Sequence, residues 1–162
     1  MVNLYLKVKA ELENVTGVQP ADTPQNPYEY VFIIECTTCR QVHNKPVSIN
    51  CYEQHDIIGS RGEASFVFRC KSCRSEHSAQ ITRTKEKLTA ETSGKWIRLL
   101  EIDARGIEFK KFISEGLWEC NGVDSGTMFD DVDLEDGEWH DYDENLKGEV
   151  SVVDVEFEIA RL

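Results

Sequence analysis

Two short segments, Cys36-Thr37-Thr38-Cys39-Arg40 and Cys70-Lys71-Ser72-Cys73-Arg74, constrain this chain more than any other feature of it. Whatever the fold, it has to satisfy both. A pair of Cys-x-x-Cys elements can bring four thiols to one tetrahedral centre, and zinc is the ion that thiolates in that geometry select most often. Each element can fold as a tight knuckle whose backbone N–H groups hydrogen-bond the sulfurs and spread their negative charge. One such element alone would fit redox chemistry as readily as metal. Two, with polar turn residues and an arginine after each, favour a metal.

The rest of the chain says where those thiols would work. Met1 to Glu13 carries lysines at 7 and 9 with no apolar core region, so no signal peptide is expected there. The longest apolar run, Tyr30 to Ile34, is far short of a membrane span. A reducing compartment, the cytoplasm, is the expected location, and disulfides are rare there. The sequon at Asn14-Val15-Thr16 then reads as loop chemistry.

Charge divides the chain unevenly. Residues 1–94 hold 11 Lys+Arg and 11 Asp+Glu, whereas residues 95–162 hold 7 and 19, which accounts for the whole net charge of −12. The peak is Asp130 to Glu144, with nine acids and no Lys or Arg. Such a surface repels phosphate backbones, so a nucleic-acid ligand is not expected. The segment reads as a solvated acidic loop held by Phe129, Leu134, Trp139 and Tyr142, or as a surface for a basic protein partner. Calcium fits poorly, because counting from Asp131 the glycine at 137 falls one place late for an EF-hand.

The periodicity is that of strands. Leu4, Leu6, Val8, Ala10 and Leu12 alternate with polar or amphipathic neighbours. Tyr28 to Glu35 is aromatic and β-branched and leads into the first knuckle, and Ala64, Phe66 and Phe68 alternate towards the second. Trp96–Ile102 and Ile107–Phe112 flank Arg105-Gly106. Near the C-terminus Ser151, Val153, Val155, Phe157 and Ile159 are expected to share one face. No helical stripe of any length is present, so the expected class is all-β.

An internal echo suggests two related antiparallel β-layers, or sandwich-like halves. Gly62–Val67 resembles Gly148–Val153, and Glu35-Cys36 recurs as Glu119-Cys120. In that register Cys70 falls opposite Glu156, so the second copy keeps one cysteine position and no second knuckle. The expected division is a zinc-bearing half, 1–94, and an acidic metal-free half, 95–162, joined near Thr84 to Lys95 in one compact unit.

Cys36, Cys39, Cys70 and Cys73 are the expected metal ligands, holding one zinc per chain. A closed four-thiolate site leaves no open position for substrate, so its role would be structural and no enzyme is expected. The alternative is a thiol-based redox or metal-handling protein using the same cysteines. Both knuckles continue as Cys-Arg-x-x-His, to His43 and His77. Mixed Cys/His coordination is therefore conceivable, but four thiolates already complete the tetrahedron. Cys51, Cys120, His55 and His140 belong to no motif, and Gly59-Ser60-Arg61-Gly62 reads as a turn rather than a phosphate loop.

Together these residues resemble the eukaryotic family of CXXC motif containing zinc binding proteins, also known as UPF0587 or DUF866. The matching features are the opening Leu6–Val18, the two knuckles, Gly59–Ser65, Ser125–Phe129, Asp133-Leu134 and Trp139–Glu144, which span nearly the whole chain. The resemblance implies a mostly β protein with zinc on Cys36, Cys39, Cys70 and Cys73, and supplies no activity. His43 and His77 inherit nothing from it. The expectation is thus a monomeric, non-enzymatic zinc protein that presents surfaces to protein partners.

Overall fold

A computed structural model describes residues 2–43, 45–57 and 62–161. Its elements are strands β1 (Val2–Glu13), β2 (Val15–Pro20), β3 (Tyr30–Cys36), β4 (Val47–Ile49), β5 (His55–Asp56), β6 (Glu63–Ala64), β7 (Phe66–Arg69), β8 (Glu76–Arg83), β9 (Ile97–Arg105), β10 (Ile107–Ile113), β11 (Trp118–Gly122), β12 (Met128–Val132), β13 (Trp139–Asp143) and β14 (Gly148–Arg161). One 3-10 turn at Ala90–Thr92 is the sole helical element among the described residues. The protein is all-β, and every strand pair is antiparallel. Among the described residues no helix is long and apolar enough to cross a membrane.

The main sheet has six strands in the order β13-β14-β1-β9-β8-β7, and two three-stranded sheets, β10-β3-β4 and β12-β11-β2, accompany it. Alternation fixes which face of each strand is buried. Leu4, Leu6, Val8 and Ala10 of β1 all point into the core. They meet Leu100 and Ile102 of β9, Phe32 and Ile34 of β3, and Trp118 and Val132 of the third sheet in one continuous cluster. Full burial of a side chain such as Leu6 stabilises the fold by about 1.5–3 kcal/mol.

On β14 the expected face is half right. Val150 and Val152 are the core residues, not Ser151 and Val153 as the alternation predicted. The pairing with β1 runs Glu11↔Val153 and then Lys9↔Glu156, so a bulge lies between them, with Asp154 at φ 53°. The extra residue resets the period-2 pattern, and beyond it Val155, Phe157 and Ile159 pack against the core instead.

The sheet order hides an approximate two-fold relation between β1 and β9. Each turns sharply through a left-handed residue, Asn14 (φ 60°) or Gly106 (φ 79°), into β2 or β10. Each of those pairs with the central strand of a three-stranded sheet, β11 or β3. On the outer side β1 is followed by the hairpin β14-β13, and β9 by β8-β7. The unit around β1 is therefore β1, β2 and β11–β14, while that around β9 is β3, β4 and β7–β10. Each draws strands from both sides of residue 94.

A candidate metal centre and its counterpart

The first knuckle is the turn leaving β3. The Cys36 carbonyl accepts from the Arg40 N–H at 2.8 Å, and the Cys36 N–H donates to the Gln41 carbonyl at 3.0 Å. The second joins β7 to β8 with the same wiring: Arg74 N–H to the Cys70 carbonyl at 2.8 Å, and Cys70 N–H to the Ser75 carbonyl at 3.0 Å. Both turns close on a left-handed arginine, Arg40 at φ 63° and Arg74 at φ 62°. Such a backbone is unfavourable for a residue with a Cβ. It is held here because it swings the chain around the two sulfurs.

The four Sγ atoms of Cys36, Cys39, Cys70 and Cys73 all lie within 4.8 Å of one another. Cys36 and Cys73 are 3.7 Å apart, and Cys39 and Cys70 are 3.6 Å apart. Ligands on a tetrahedron with zinc–sulfur bonds of about 2.3 Å sit roughly 3.8 Å from one another. The cluster can therefore chelate a metal with little rearrangement. Cys36 and Cys70 are buried, Cys73 is half-buried and Cys39 is exposed.

The electrostatics suit a cation. The backbone N–H groups of Cys73 and Ser72 lower the Cys70 thiol, and hydrogen bonds from the Ser75 hydroxyl and amide bring Cys73 down to about 6. Cys39 moves the other way. A Gln41 backbone hydrogen bond lowers it, but desolvation and the three neighbouring sulfurs outweigh that and hold it up at about 12. Four thiols this close cannot all ionise without a positive charge between them, and a divalent cation supplies it.

The two histidines after the knuckles part company. The His43 ring packs edge-on to Phe68, with centroids 4.3 Å apart, and stands outside the cluster. His77 is buried and its Nε2 lies 3.0 Å from the Cys36 Sγ, so it touches a sulfur without joining the four. Burial pushes its pKa down, and a backbone hydrogen bond at Glu76 opposes that. Cys51 and Cys120 are not part of the four-sulfur group, and burial raises their thiols to about 11 and about 12. His55 and His140 are exposed. Residues 59–61 of the glycine-flanked turn lie outside the described residues.

The counterpart of this centre was not legible as such. The Gly122 carbonyl accepts from Gly126 N–H at 3.0 Å, and Gly122 N–H donates to the Thr127 carbonyl at 2.8 Å, which is the wiring of the first knuckle. The Asp143 carbonyl accepts from Lys147 N–H at 2.7 Å, as Cys70 does from Arg74, and Lys147 has φ 58°. Even the contact to the central hairpins repeats: Thr37 N–H donates to the Gly106 carbonyl at 3.1 Å, and Val123 N–H to the Asn14 carbonyl at 3.0 Å. Thus Cys36, Cys39, Cys70 and Cys73 correspond to Gly122, Ser125, Asp143 and Leu146. The expected register, with Cys120 opposite Cys36, is two residues off. The second copy has no second Cys-x-x-Cys, but the turn itself is present at Asp143–Lys147 without thiols.

A carboxylate occupies the middle of the second pair. Asp143 is fully buried and accepts from the Ser125 hydroxyl, the Thr127 hydroxyl at 2.7 Å, and the N–H groups of Asn145 at 3.0 Å and Leu146 at 3.2 Å. These bonds, the one from Ser125 foremost, hold its carboxyl below the usual carboxylate range against the effect of burial. Gly122 gives the space: a Cβ there would stand 2.2 Å from Ser125 Oγ and 2.6 Å from Asp143 Oδ2. Of the nine acids between Asp130 and Glu144, Asp143 is thus structural rather than a free surface charge. Trp139 is half-buried against Phe129, with ring centroids 5.3 Å apart, whereas Tyr142 is exposed.

Comparison with known proteins follows the same lines. The model of the family described as CXXC motif containing zinc binding protein, eukaryotic, matches residues 5–160. A UPF0587 protein, C2D10.03c, of Schizosaccharomyces pombe is 36% identical over 161 residues, covering 99% of both chains. The CXXC motif containing zinc binding protein of Homo sapiens is 31% identical over 156 residues, covering 96% of each. The crystal structure of C1orf123 superposes with a TM-score of 0.88 at 29% identity, covering 99% of each chain.

Proposed function

This chain belongs to the eukaryotic family of CXXC motif containing zinc binding proteins, and from that premise we propose that it is a non-enzymatic zinc protein whose metal is structural and whose surface serves protein partners. The observation that carries the reading is the four-sulfur cluster, with separations close to those of a tetrahedral zinc shell. Cys36, Cys39, Cys70 and Cys73 would hold one zinc per chain. Four thiolates fill its coordination, so the ion clamps β3 to the β7–β8 hairpin and offers no position to a substrate. The protein works as a monomer in the reducing cytoplasm, where its thiols stay available to the metal.

The partner surface is the acidic stretch around β12 and β13, where Asp130, Glu135, Asp136, Glu138, Asp141 and Glu144 are exposed beside the exposed Tyr142. A partner bringing lysine or arginine suits such a field, and nucleic acid does not. Elemental analysis tests the metal, with one zinc per chain expected; none, or iron, would overturn it. Affinity capture compares wild type with Glu135→Gln, Asp136→Asn, Glu138→Gln and Glu144→Gln combined. Weaker capture at unchanged zinc content and melting temperature is expected, and full retention of every partner would reduce the segment to a solvated loop.

One observation favours a second reading, a redox-responsive or metal-handling protein. Cys39 is exposed and Cys73 half-buried, so one side of the cluster is open to an oxidant or a competing ligand. Stoichiometric zinc release at low peroxide, reversed by a thiol reductant, would favour that reading over the structural one.

A further inference from the structure

The imidazole beside Cys36 is not explained by a closed four-thiolate shell. His77 lies on β8, and its ring rests on Gly106, the left-handed turn residue between β9 and β10. A Cβ on Gly106 would stand 2.0 Å from His77 Nδ1, so only glycine leaves the notch the ring occupies. Phe68 lies along the ring, with centroids 6.0 Å apart at 32°. Seated there, Nε2 is aimed at the Cys36 sulfur at 3.0 Å.

We propose that His77 is a positioning residue for the metal: its Nε2–H donates a hydrogen bond to the Cys36 thiolate and anchors the buried corner of the cluster, so that metal leaves by the Cys39 side. The inference rests on the metal reading above. A metal-bound thiolate is an acceptor only, so the nitrogen facing it must carry the proton. An N–H···S bond draws charge from the sulfur and fixes its direction, as partners of metal ligands generally do. Cys70 is anchored differently, by the knuckle amides of Ser72 and Cys73. Cys39 alone among the four is exposed. The approximate two-fold gives an internal control. The position equivalent to His77 is Val150, a buried aliphatic beside the pair of turns that carries no thiols. Packing alone is served there without an imidazole; the ring is found where there is a sulfur to bond.

Two measurements on the full chain decide it. In protein loaded with cadmium-113 and labelled with nitrogen-15, a scalar coupling between the metal and the His77 Hε2 proton is expected across the N–H···S bond; its absence would overturn the proposal. In the zinc form, release to a chromogenic chelator is compared among wild type, His77→Phe and His77→Gln. Loss of such a partner weakens metal binding by about 10- to 100-fold. His77→Phe should therefore release zinc at least about tenfold faster, and His77→Gln, which keeps an N–H donor, should fall between it and wild type. Release from His77→Phe within twofold of wild type means the ring is only packing. Should His77→Phe fail to fold, the coupling in wild-type protein still decides. The zinc content of wild type reports separately on the metal reading.

Discussion

The two knuckle pairs share a backbone and differ in what fills them. Around Cys36 and Cys70 the turns converge on four sulfurs that need a cation; around Gly122 and Asp143 they converge on a carboxylate that brings its own charge. Two turns on each side share one backbone: those at Cys36 and Cys70 can be closed by coordination, and those at Gly122 and Asp143 are closed by hydrogen bonds. What is conserved between them is the wiring, a carbonyl accepting from the N–H four residues on and a left-handed closing residue. The comparison separates the turn from its filling. A metal on the four sulfurs would be one way to staple a geometry that the backbone also reaches with Asp, Ser and Thr.

The largest effect should come from breaking the metal side. Cys70→Ser removes a ligand, and structural zinc of this kind contributes apparent folding free energy on the order of 10 kcal/mol. Loss of zinc with insolubility, or a large fall in melting temperature, is expected. A variant melting cooperatively at the wild-type temperature would show that the metal is incidental to the fold.

A smaller effect is expected at the equivalent position, Asp143→Asn, which loses a charged acceptor for two hydroxyls and two amides. Melting temperature should fall while zinc stays at one per chain; loss of zinc would mean the two centres are not independent. The pH dependence sharpens this. Because the folded-state pKa of Asp143 is depressed, its contribution is complete above the unfolded value of about 3.9 and is lost as pH falls through the folded pKa. The stability deficit of Asp143→Asn in denaturant titrations should be constant above about pH 5 and shrink below about pH 4. A deficit unchanged at low pH would exclude the carboxylate as its source.

The smallest effect tests the shared wiring. Arg74 and Lys147 close equivalent turns at φ 62° and 58°, where glycine is favoured over other residues by roughly 1 kcal/mol. Arg74→Gly and Lys147→Gly should each raise stability, by up to about 1 kcal/mol and by similar amounts. A gain at one and a loss at the other, read from denaturant midpoints, would break the equivalence.

What the residues disclosed follows from where information is stored. The four thiols were legible because cysteine spacing is itself the signal, and the long strands because burial alternates along Leu4–Ala10. The Asp143 clamp was hidden. Its equivalence to the metal side lies in hydrogen bonds and the sign of φ, while the side chains changed from Cys to Gly, Ser, Asp and Leu. The echo of Gly62–Val67 in Gly148–Val153 was misleading for the same reason, since strands repeat short patterns without being structurally equivalent: Gly148 matches Ser75. Asp143 read as one more charge in an acidic run, because nothing in its neighbours announced two hydroxyls from Ser125 and Thr127. The bulge at Asp154 escaped because an added residue shifts the alternation without marking itself.

The place of β1 in the main sheet bears on how the chain is made. It lies between β9 and β14, with Leu4 opposite both Ile102 and Arg161. During synthesis it emerges from the ribosome with neither neighbour yet translated, and its apolar face waits until β9 and then β14 arrive. An unpaired apolar strand held open for most of translation invites mispairing and calls for chaperone shielding. Both knuckles are translated well before β9 and β10, the strands that later pair with β8 and β3. A metal captured early would tie β3 to the β7–β8 hairpin while the sheets around them are still incomplete, giving the nascent chain its first long-range crosslink.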